Sequence, residues 1–231
     1  MLRALLRGMP RGGAQAERLA AFYAPQAAHY DRFRERLLHG RRELLDDLAL
    51  PLQAHIVELG GGTGQLCQML GPRLNAVRRY DVVDLCEPLI GQAHQRAQRL
   101  PALHPVLADA CVWQPDHPAD VVIVSYALTM MPDWRSCIDN AWRMLKPGGY
   151  IAVVDFHVSE RTPPAGQVRH GAWTRAFWRR WFARDGVYLD AALLPALRQR
   201  FSDHSFVEAR APVPYLPRLR VPYFRFIGRR P

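Results

Sequence analysis

The sequence predicts an α/β fold in which a Rossmann-like, seven-stranded sheet is accompanied by an N-terminal helical lid. Three observations support this prediction. An apolar run leads through the glycine-rich turn at 60–64 into a segment of helical character, which is the strand–turn–helix layout of nucleotide-binding folds. Apolar runs then alternate with helical segments up to residue 156, as in a parallel sheet. Two later strand-like segments, joined by the proline-rich link 212–217, predict an antiparallel hairpin that closes the sheet.

Each element has a local signal. Residues 14–50 predict lid helices that carry Phe22, Tyr23, Tyr30 and Phe33. Residues 120–126 form a continuous β-branched run, which is typical of a central parallel strand. Residues 146–149 combine a proline and two glycines in a helix stop and turn. The predicted strands are 55–58, 80–84, 106–110, 120–126, 150–156, 205–211 and 221–227, and the predicted helices after the lid begin at 65 and cover 88–100, 133–145, 173–182 and 190–201.

The length of 231 residues fits a single domain made of three parts: the N-terminal lid (1–54), a core (55–156) and a C-terminal segment (157–231). Charge is distributed unevenly among them. The C-terminal segment holds 14 basic and 5 acidic side chains, a net charge of +9, whereas the core has a net charge of −2. A basic surface predicts an anionic partner, either nucleic acid or an acidic membrane. The alternative is a high arginine usage with solvated, ion-paired faces.

Several classes of protein do not fit the composition. The chain has no run of 18 apolar residues, so no membrane-spanning segment is expected. Arginines interrupt the first ten residues, which do not make a convincing signal peptide. The four cysteines form no CxxC pair and the nine histidines no HxxxH pair, so we expect neither a metal site nor a disulfide framework. Buried thiols of a reducing compartment fit this pattern.

The glycine-rich turn narrows the kind of ligand. Its spacing is Gly60-x-Gly62-x-Gly64, whereas a dinucleotide site needs its third glycine at position 65, where this chain has glutamine. No Gly-Lys-Ser/Thr follows, which excludes a Walker motif. The turn, together with Glu58 two positions before it, resembles motif I of the S-adenosylmethionine (SAM) methyltransferases. The alternative is a turn that serves compactness alone.

Two acidic residues extend this pattern. Asp84 ends the second predicted strand, 20 residues after Gly64, where a carboxylate accepts hydrogen bonds from both ribose hydroxyls. Asp109 ends the third, where the resemblance implies a contact with the adenine amino group; taken alone, it is a loop or cap residue. The resemblance implies a cofactor site made of Glu58, Gly60, Gly62, Gly64, Asp84, Leu85, Asp109, Ala110, Ser125, Tyr30 and Arg41.

Methyl transfer needs alignment and electrostatics rather than a protein nucleophile, because the cofactor supplies the reactivity. Tyr126, which ends the fourth strand, is the candidate to face the methyl group and stabilise positive charge. Asp155, at the end of the fifth, is the candidate to orient or deprotonate an amine, with a cap of the following segment as its alternative. Tyr30 in the lid matches a tyrosine that related enzymes place over the cofactor. Arg41 or Arg42 is the candidate partner of the methionyl carboxylate, with lid packing and surface charge as the alternative.

A closer resemblance lies outside motif I. Residues 125–134, 83–86, 177–187 and 221–228 resemble the diacylglycerylhomoserine N-methyltransferases, which complete the betaine lipid diacylglyceryltrimethylhomoserine. The resemblance implies stepwise N-methylation of a lipid amine at an anionic membrane, with SAM as cofactor. It also implies a cytoplasmic protein peripheral to the inner face of the membrane, with the enzyme that makes the homoserine lipid as a candidate partner. In the helix through 173–182, five large aromatic side chains interleaved with arginine suit both core packing and an interfacial helix.

Three alternatives stay open at this point. A phosphatidylethanolamine N-methyltransferase needs the same cofactor site and the same basic rim. A methyltransferase of a quinone precursor or another small molecule needs only the cofactor site. A methyltransferase-fold protein that binds RNA or acts as a scaffold needs neither, but the chain contains no recognisable sequence-reading module, so no nucleic acid is expected.

Overall fold

The computed structural model describes residues 8–10, 12–31, 35–214 and 216–231. The predicted lid aromatic Phe33 lies outside these ranges. The helices are α1 (Gln15–Tyr23), α2 (Arg41–Asp46), α3 (Gln65–Met69), α4 (Glu87–Ala97), α5 (Trp134–Met144), α6 (Ala172–Ala183) and α7 (Leu193–Arg200), with short 3-10 helices at Ala24–His29, Gly71–Ala76 and Leu128–Met130. The strands are β1 (Ala54–Leu59), β2 (Val77–Asp84), β3 (Leu103–Leu107), β4 (Ala119–Ser125), β5 (Leu145–Phe156), β6 (Asp203–Val213) and β7 (Leu216–Arg229).

The seven strands form one sheet in the order β3-β2-β1-β4-β5-β7-β6. The first five are parallel, and β7 pairs antiparallel with both β5 and β6. The predicted Rossmann-like sheet closed by a C-terminal hairpin is therefore confirmed. Because β1, β2 and β4 run in the same direction, their carboxyl ends meet at one edge of the sheet, where ligands bind in open α/β folds.

The core divides into two layers because side chains alternate along each strand. In β4, Val121 and Ile123 pack with the lid and α6 on one face. Val122 and Val124 pack with α5 and α7 on the other. All four side chains are buried, which is why this strand reads as an unbroken apolar run.

Three boundaries differ from the sequence predictions. The third strand runs over Leu103–Leu107, so Asp109 follows it by two residues and does not end it. The last helix is shorter than predicted and begins at Leu193. Residues 146–149, predicted as a turn, belong to β5, although Gly148 has a φ of +77° and the register with β4 shifts between Ala119 and Val121. Residues 146–149 therefore contain the proline and glycines typical of a turn, but their backbone belongs to the strand.

Candidate functional site

The glycine-rich turn joins β1 to α3 in a conformation that requires glycine. Gly60, Gly62 and Gly64 have φ angles of +69°, +56° and +68°. A Cβ atom on Gly60 would lie 2.4 Å from the Cβ of Ala127, in the segment after β4. The Gly60 amide donates to the carbonyl of Val83 at 2.7 Å, which ties the turn to the end of β2. Close backbone packing, and not composition alone, therefore explains these glycines.

Asp84 holds the turn from the neighbouring strand. Its Oδ2 accepts a hydrogen bond from the Gly62 amide at 2.8 Å, and its Oδ1 accepts one from the Cys86 amide at 2.8 Å. Burial raises the pKa of this carboxyl, and the hydrogen bonds from Cys86 and Gly62 oppose that rise. A carboxylate has about four acceptor positions, so this one can still accept from a ligand.

A cavity of about 540 Å³ opens at the carboxyl ends of the strands, between the turn and the lid. Its wall includes eight of the predicted site residues: Tyr30, Gly60, Asp84, Leu85, Asp109, Ala110, Ser125 and Tyr126. Asp109 accepts a hydrogen bond from the Cys111 amide at 2.8 Å, which makes the turn after β3 part of the wall. The sequence therefore brings most of the predicted cofactor residues to one place.

Tyr126 lies on the cavity wall in a strained conformation. Its φ is +54°, in the left-handed region that costs a non-glycine residue about 1 kcal/mol or more. Its amide donates to the Val154 carbonyl at 2.7 Å, and its hydroxyl donates to the His39 carbonyl in the lid at 2.6 Å. Its ring packs on Phe156, with 4.6 Å between the centroids. Burial raises the pKa of this phenol well above its ordinary value, so the hydroxyl stays protonated.

Asp155 does not reach the cavity, in contrast to its predicted role. Its side chain is fully buried and accepts hydrogen bonds from the Thr129 hydroxyl at 2.7 Å, the Thr129 amide at 3.2 Å and the Phe156 amide at 2.8 Å. Burial raises its pKa to about 6. Asp155 caps the 3-10 turn that follows β4, and not the segment after β5 as its alternative role predicted, and it has no position on the wall formed by the described residues.

Arg41 and Glu58 are also buried beside the cavity and are not part of its described wall. Arg41 donates to the Leu38 carbonyl at 3.2 Å and to the Gln65 side chain at 3.1 Å, and burial lowers its pKa. Glu58 accepts a hydrogen bond from the Tyr80 hydroxyl at 3.0 Å, and burial raises its pKa to about 8. Arg41 bonds to the wall residue Leu38 and Glu58 bonds to Tyr80 behind the wall, so neither lies at a wall position where it was predicted to contact a cofactor.

Gly62 and Gly64 likewise lie outside the described wall. Gly62 acts through its amide on Asp84, and a Cβ atom there would lie 3.3 Å from Leu89, a wall residue. A Cβ on Gly64 would meet Leu103 and Val82 at 3.3 Å. These two glycines therefore affect the shape of the turn without contacting the cavity.

Sequence reasoning missed one side of the cavity. Gln15, Leu19 and Tyr23 of α1 line it, and their spacing of four places them on one helix face. Tyr23 donates from its hydroxyl to the Met130 sulfur at 3.3 Å, and Gln15 donates to the Met130 carbonyl at 3.1 Å. The four-residue spacing of Gln15, Leu19 and Tyr23 is the feature of the sequence that could have predicted this side of the cavity. The basic wall residue Arg143 on α5 carried no signal of its own.

The aromatic residues of α6 divide between core and surface. Trp178 and Phe182 are buried in the same cluster as Tyr126. Trp173, Phe177 and Trp181 are 90%, 42% and 41% exposed on the opposite side of the helix. The prediction that part of the aromatic stripe packs on the sheet is confirmed. Among the described residues, no helix is both long and apolar enough to cross a membrane.

Comparison with known proteins identifies the class. Residues 57–153 match the family described as a methyltransferase domain. A trans-aconitate 2-methyltransferase of Variovorax paradoxus is 30% identical over 127 residues, which are 54% of this chain and 48% of that protein. The chain thus spans about half the length of the curated relatives it matches.

Two solved structures share the fold over most of the chain. The N-methyltransferase NodS of Bradyrhizobium japonicum WM9, solved with S-adenosyl-L-homocysteine, superposes with a TM-score of 0.68 at 20% identity and covers 92% of this chain and 98% of NodS. Phosphoethanolamine N-methyltransferase 2 of Haemonchus contortus, solved with phosphomonomethylethanolamine and S-adenosylhomocysteine, gives a TM-score of 0.72 at 12% identity and covers 96% of this chain and 61% of that one.

The architecture is therefore that of the class I, SAM-dependent methyltransferases, and residues 57–153 match the methyltransferase-domain family. The predicted fold is confirmed, and the family match supports the predicted protein class. The closer resemblance to betaine-lipid enzymes finds no counterpart among these relatives.

Proposed function

We propose that the protein is a SAM-dependent N-methyltransferase that methylates a lipid amine stepwise at the surface of an anionic membrane. Diacylglycerylhomoserine is the substrate we favour, and diacylglyceryltrimethylhomoserine its product. The observation that carries the proposal is a continuous series of aromatic rings from the exposed face of α6 to the cavity wall.

The series starts at the surface with Phe177 and Trp181, each in ring contact with Trp178. Trp178 stacks on Phe182 at 5.6 Å, and Phe182 stacks on Phe156 at 4.3 Å. Phe156 then contacts Tyr126 on the wall. Because Trp178, Phe182 and Phe156 are buried, this series connects the exposed face of α6 to the wall by packing, and the chains of a lipid would contact its exposed end at Phe177 and Trp181.

The aromatic rings of the wall suit a cationic headgroup. Of the charged groups on the described wall, Asp84 and Asp109 are assigned to the cofactor, which leaves Asp133 and the guanidinium of Arg143. An amine that becomes a trimethylammonium grows into a weakly hydrated cation. Aromatic faces stabilise such a cation by roughly 0.5–2 kcal/mol per contact, and Tyr126 and Tyr30 supply such faces.

The residues of the turn fit the cofactor. Asp84 retains acceptor positions for the ribose hydroxyls, and Asp109 with Ala110 lies where the adenine is expected. When bound, SAM supplies an electrophilic methyl group on a sulfonium. The protein aligns a neutral amine nitrogen with that methyl carbon, and the ammonium formed must lose a proton before the next methylation. Because Asp155 is capped and buried, we assign this proton to water.

The outer face of α6 supports the membrane location. Trp173, Phe177, Arg180, Trp181 and Arg184 are exposed at positions separated by four, seven, eight and eleven residues, so they share one helix face. Aromatic rings beside arginine suit the interface of an anionic bilayer, where each cation contributes about 1 kcal/mol. We place the protein in the cytoplasm, peripheral to the inner face of the membrane, with the enzyme that makes the homoserine lipid as a possible partner.

A second candidate comes from the sequence relatives. Methylation of trans-aconitate is the activity in the name of the V. paradoxus relative. A tricarboxylate needs several cationic groups in the cavity, and the described wall offers the guanidinium of Arg143, opposed by the carboxylate of Asp133 once Asp84 and Asp109 bind the cofactor. We therefore rank this activity below amine methylation.

The test measures methyl transfer from labelled SAM to four acceptors: vesicles with diacylglycerylhomoserine, vesicles with phosphatidylethanolamine, soluble trans-aconitate, and a demethylated quinone precursor. Mass spectrometry of the products should show monomethyl and dimethyl homoserine lipid transiently, with Tyr126→Ala increasing their share. Methylation of phosphatidylethanolamine alone would move the substrate to that lipid. Methylation of trans-aconitate or the quinone precursor alone would refute the lipid proposal and leave the methyltransferase activity.

Membrane binding has its own test. Flotation with anionic vesicles should weaken with added salt and in the variant Arg180→Glu/Arg184→Glu. The matched control is Arg78→Glu/Arg99→Glu, which makes the same charge change at exposed positions near the amino ends of β2 and β3, away from the cavity edge. Equal flotation on neutral and anionic vesicles, or equal losses in the two variants, would contradict the assigned face.

A further inference from the structure

Arg96, at the end of α4, connects three separate elements through one guanidinium group. Its Nε donates to the Gln68 side chain of α3 at 3.1 Å. Its Nη1 donates to the carbonyl of Thr63 in the glycine-rich turn. Its Nη2 donates to Asp31 Oδ2 in the lid at 2.6 Å. A planar fork can reach three acceptors at once in fixed directions, which a lysine ammonium cannot reproduce.

A further hydrogen bond closes the arrangement. The Thr63 hydroxyl donates to the other oxygen of Asp31, also at 2.6 Å. Thr63 is 2% exposed, and it lies between the two glycines that shape the turn behind the cavity. Asp31 directly follows Tyr30, which lines the cavity. Turn, lid and α4 therefore meet at one cluster made of Asp31, Thr63 and Arg96.

We propose that Arg96 is a positioning residue that couples the glycine-rich turn to the lid, so that cofactor binding and the seating of Tyr30 over the cavity favour each other. The inference rests on the proposed function, because it takes the cavity as the cofactor site. A ligand that prefers the formed turn stabilises the Thr63 carbonyl in the position that Arg96 needs. Arg96 then holds Asp31 and the lid.

Arg96 and Asp31 make more contacts than an ordinary surface ion pair does. Arg96 and Asp31 side chains are 18% and 27% exposed, and an isolated pair of that exposure contributes little. Here the same two side chains also bind both the carbonyl and the hydroxyl of one buried turn residue. Because those groups move only with the turn, the lid contact depends on the conformation of the turn.

The experiment uses S-adenosylhomocysteine as probe, with calorimetry for affinity and hydrogen exchange for protection of residues 12–31. In the unmodified protein the ligand should slow exchange in this segment. In Arg96→Ala, affinity should fall on the order of tenfold, within the usual range of coupling between sites, and the ligand should no longer slow exchange. Arg96→Lys keeps the charge and should recover part of the affinity but little of the protection. The control Arg99→Ala, at an exposed position three residues on, should behave like the unmodified protein.

Two further comparisons separate coupling from a merely structural role. In a double-mutant cycle, Asp31→Asn combined with Arg96→Ala should cost less affinity than the product of the two single losses. Ligand-induced protection that persists in Arg96→Ala, or independent effects in the cycle, would overturn the inference while leaving the cofactor site intact. Absence of binding by the unmodified protein would instead remove the proposed function and this inference with it. If Arg96→Ala does not fold, Arg96→Lys and Asp31→Asn carry the same comparison.

Discussion

Replacing Asp84 with alanine tests the cofactor assignment most directly. Its two oxygens each accept one backbone amide at 2.8 Å, from Gly62 and from Cys86, and each keeps an acceptor position free of these bonds. Ribose hydroxyls bound there would form charge-assisted hydrogen bonds. Asp84→Ala removes those bonds and also releases the Gly62 amide that shapes the turn.

The size of the effect follows from the bonds lost. A hydrogen bond to a charged group contributes about 1.5–3 kcal/mol, so two of them give roughly 3–6 kcal/mol. At about 1.4 kcal/mol for each tenfold change, the dissociation constant for S-adenosylhomocysteine should rise about 100- to 10,000-fold. Asp84→Asn keeps the volume and one oxygen but points an amide N–H₂ at a backbone donor, so its loss should be intermediate.

Isothermal titration calorimetry measures these affinities, with circular dichroism to verify folding. Asp116→Ala removes the same charge from an exposed position and should bind as the unmodified protein does. Because burial raises the pKa of Asp84 and the charged form is the acceptor, affinity should weaken on acidification at a higher pH than for an ordinary carboxyl. Unchanged affinity in a folded Asp84→Ala variant would refute the ribose assignment.

Three other substitutions give separate tests. Between about pH 4.5 and 8 the Glu58 carboxyl is protonated in the folded protein and ionised in the unfolded one, so stability falls as pH rises through this window. Glu58→Gln removes this titration and should flatten the dependence of melting temperature on pH. A variant profile parallel to that of the unmodified protein would contradict the buried, protonated state. Tyr126→Phe loses the bond to the His39 carbonyl and should cost about 1–3 kcal/mol in denaturant unfolding while calorimetric cofactor affinity is retained. Gly60→Ala places a Cβ against Ala127 at a φ of +69° and should abolish cofactor binding or folding, as seen by calorimetry and circular dichroism.

The cofactor half of the site was predictable because its signals are local. A glycine that must adopt a positive φ, and an acid at the end of a strand, stand in the sequence at fixed spacings. Parallel strands then bring Asp84 and Ser125 to one edge without further information. For this reason the predicted positions along β1, β2 and β4 gather around one cavity.

The prediction for Asp155 failed for an equally local reason. Side chains alternate along β5, so Val154 and Phe156 pack on the face that contains Tyr126. Asp155 points to the opposite face and meets Thr129 there. The alternation of side chains along β5, counted from Val154 and Phe156, would have placed Asp155 on the face opposite Tyr126. The prediction used only the position of both residues at strand ends, and therefore assigned them to the same site.

The contacts between the lid and the sheet could not be predicted from local sequence patterns. Arg41 was expected at a carboxylate, yet its guanidinium turns back to the Leu38 carbonyl and to Gln65. The cluster that joins Asp31 to Arg96 links residues 65 positions apart. Such pairings depend on how the lid packs on the finished sheet, and no periodicity in the sequence reports them.

We expect substrate choice to depend on the part of the chain that the family match does not reach. The match ends at residue 153, before α6, and so excludes the exposed aromatic face and the hairpin. That part contacts a neighbour of the wall, because the Tyr188 amide donates to the carbonyl of Thr129 at 2.6 Å, and Thr129 precedes the wall residue Met130. Similarity to a trans-aconitate methyltransferase within the common domain therefore bears on the cofactor-binding half of the site. The acceptor must be argued from the C-terminal segment, and its exposed rings and arginines favour a lipid at an anionic surface over a soluble tricarboxylate.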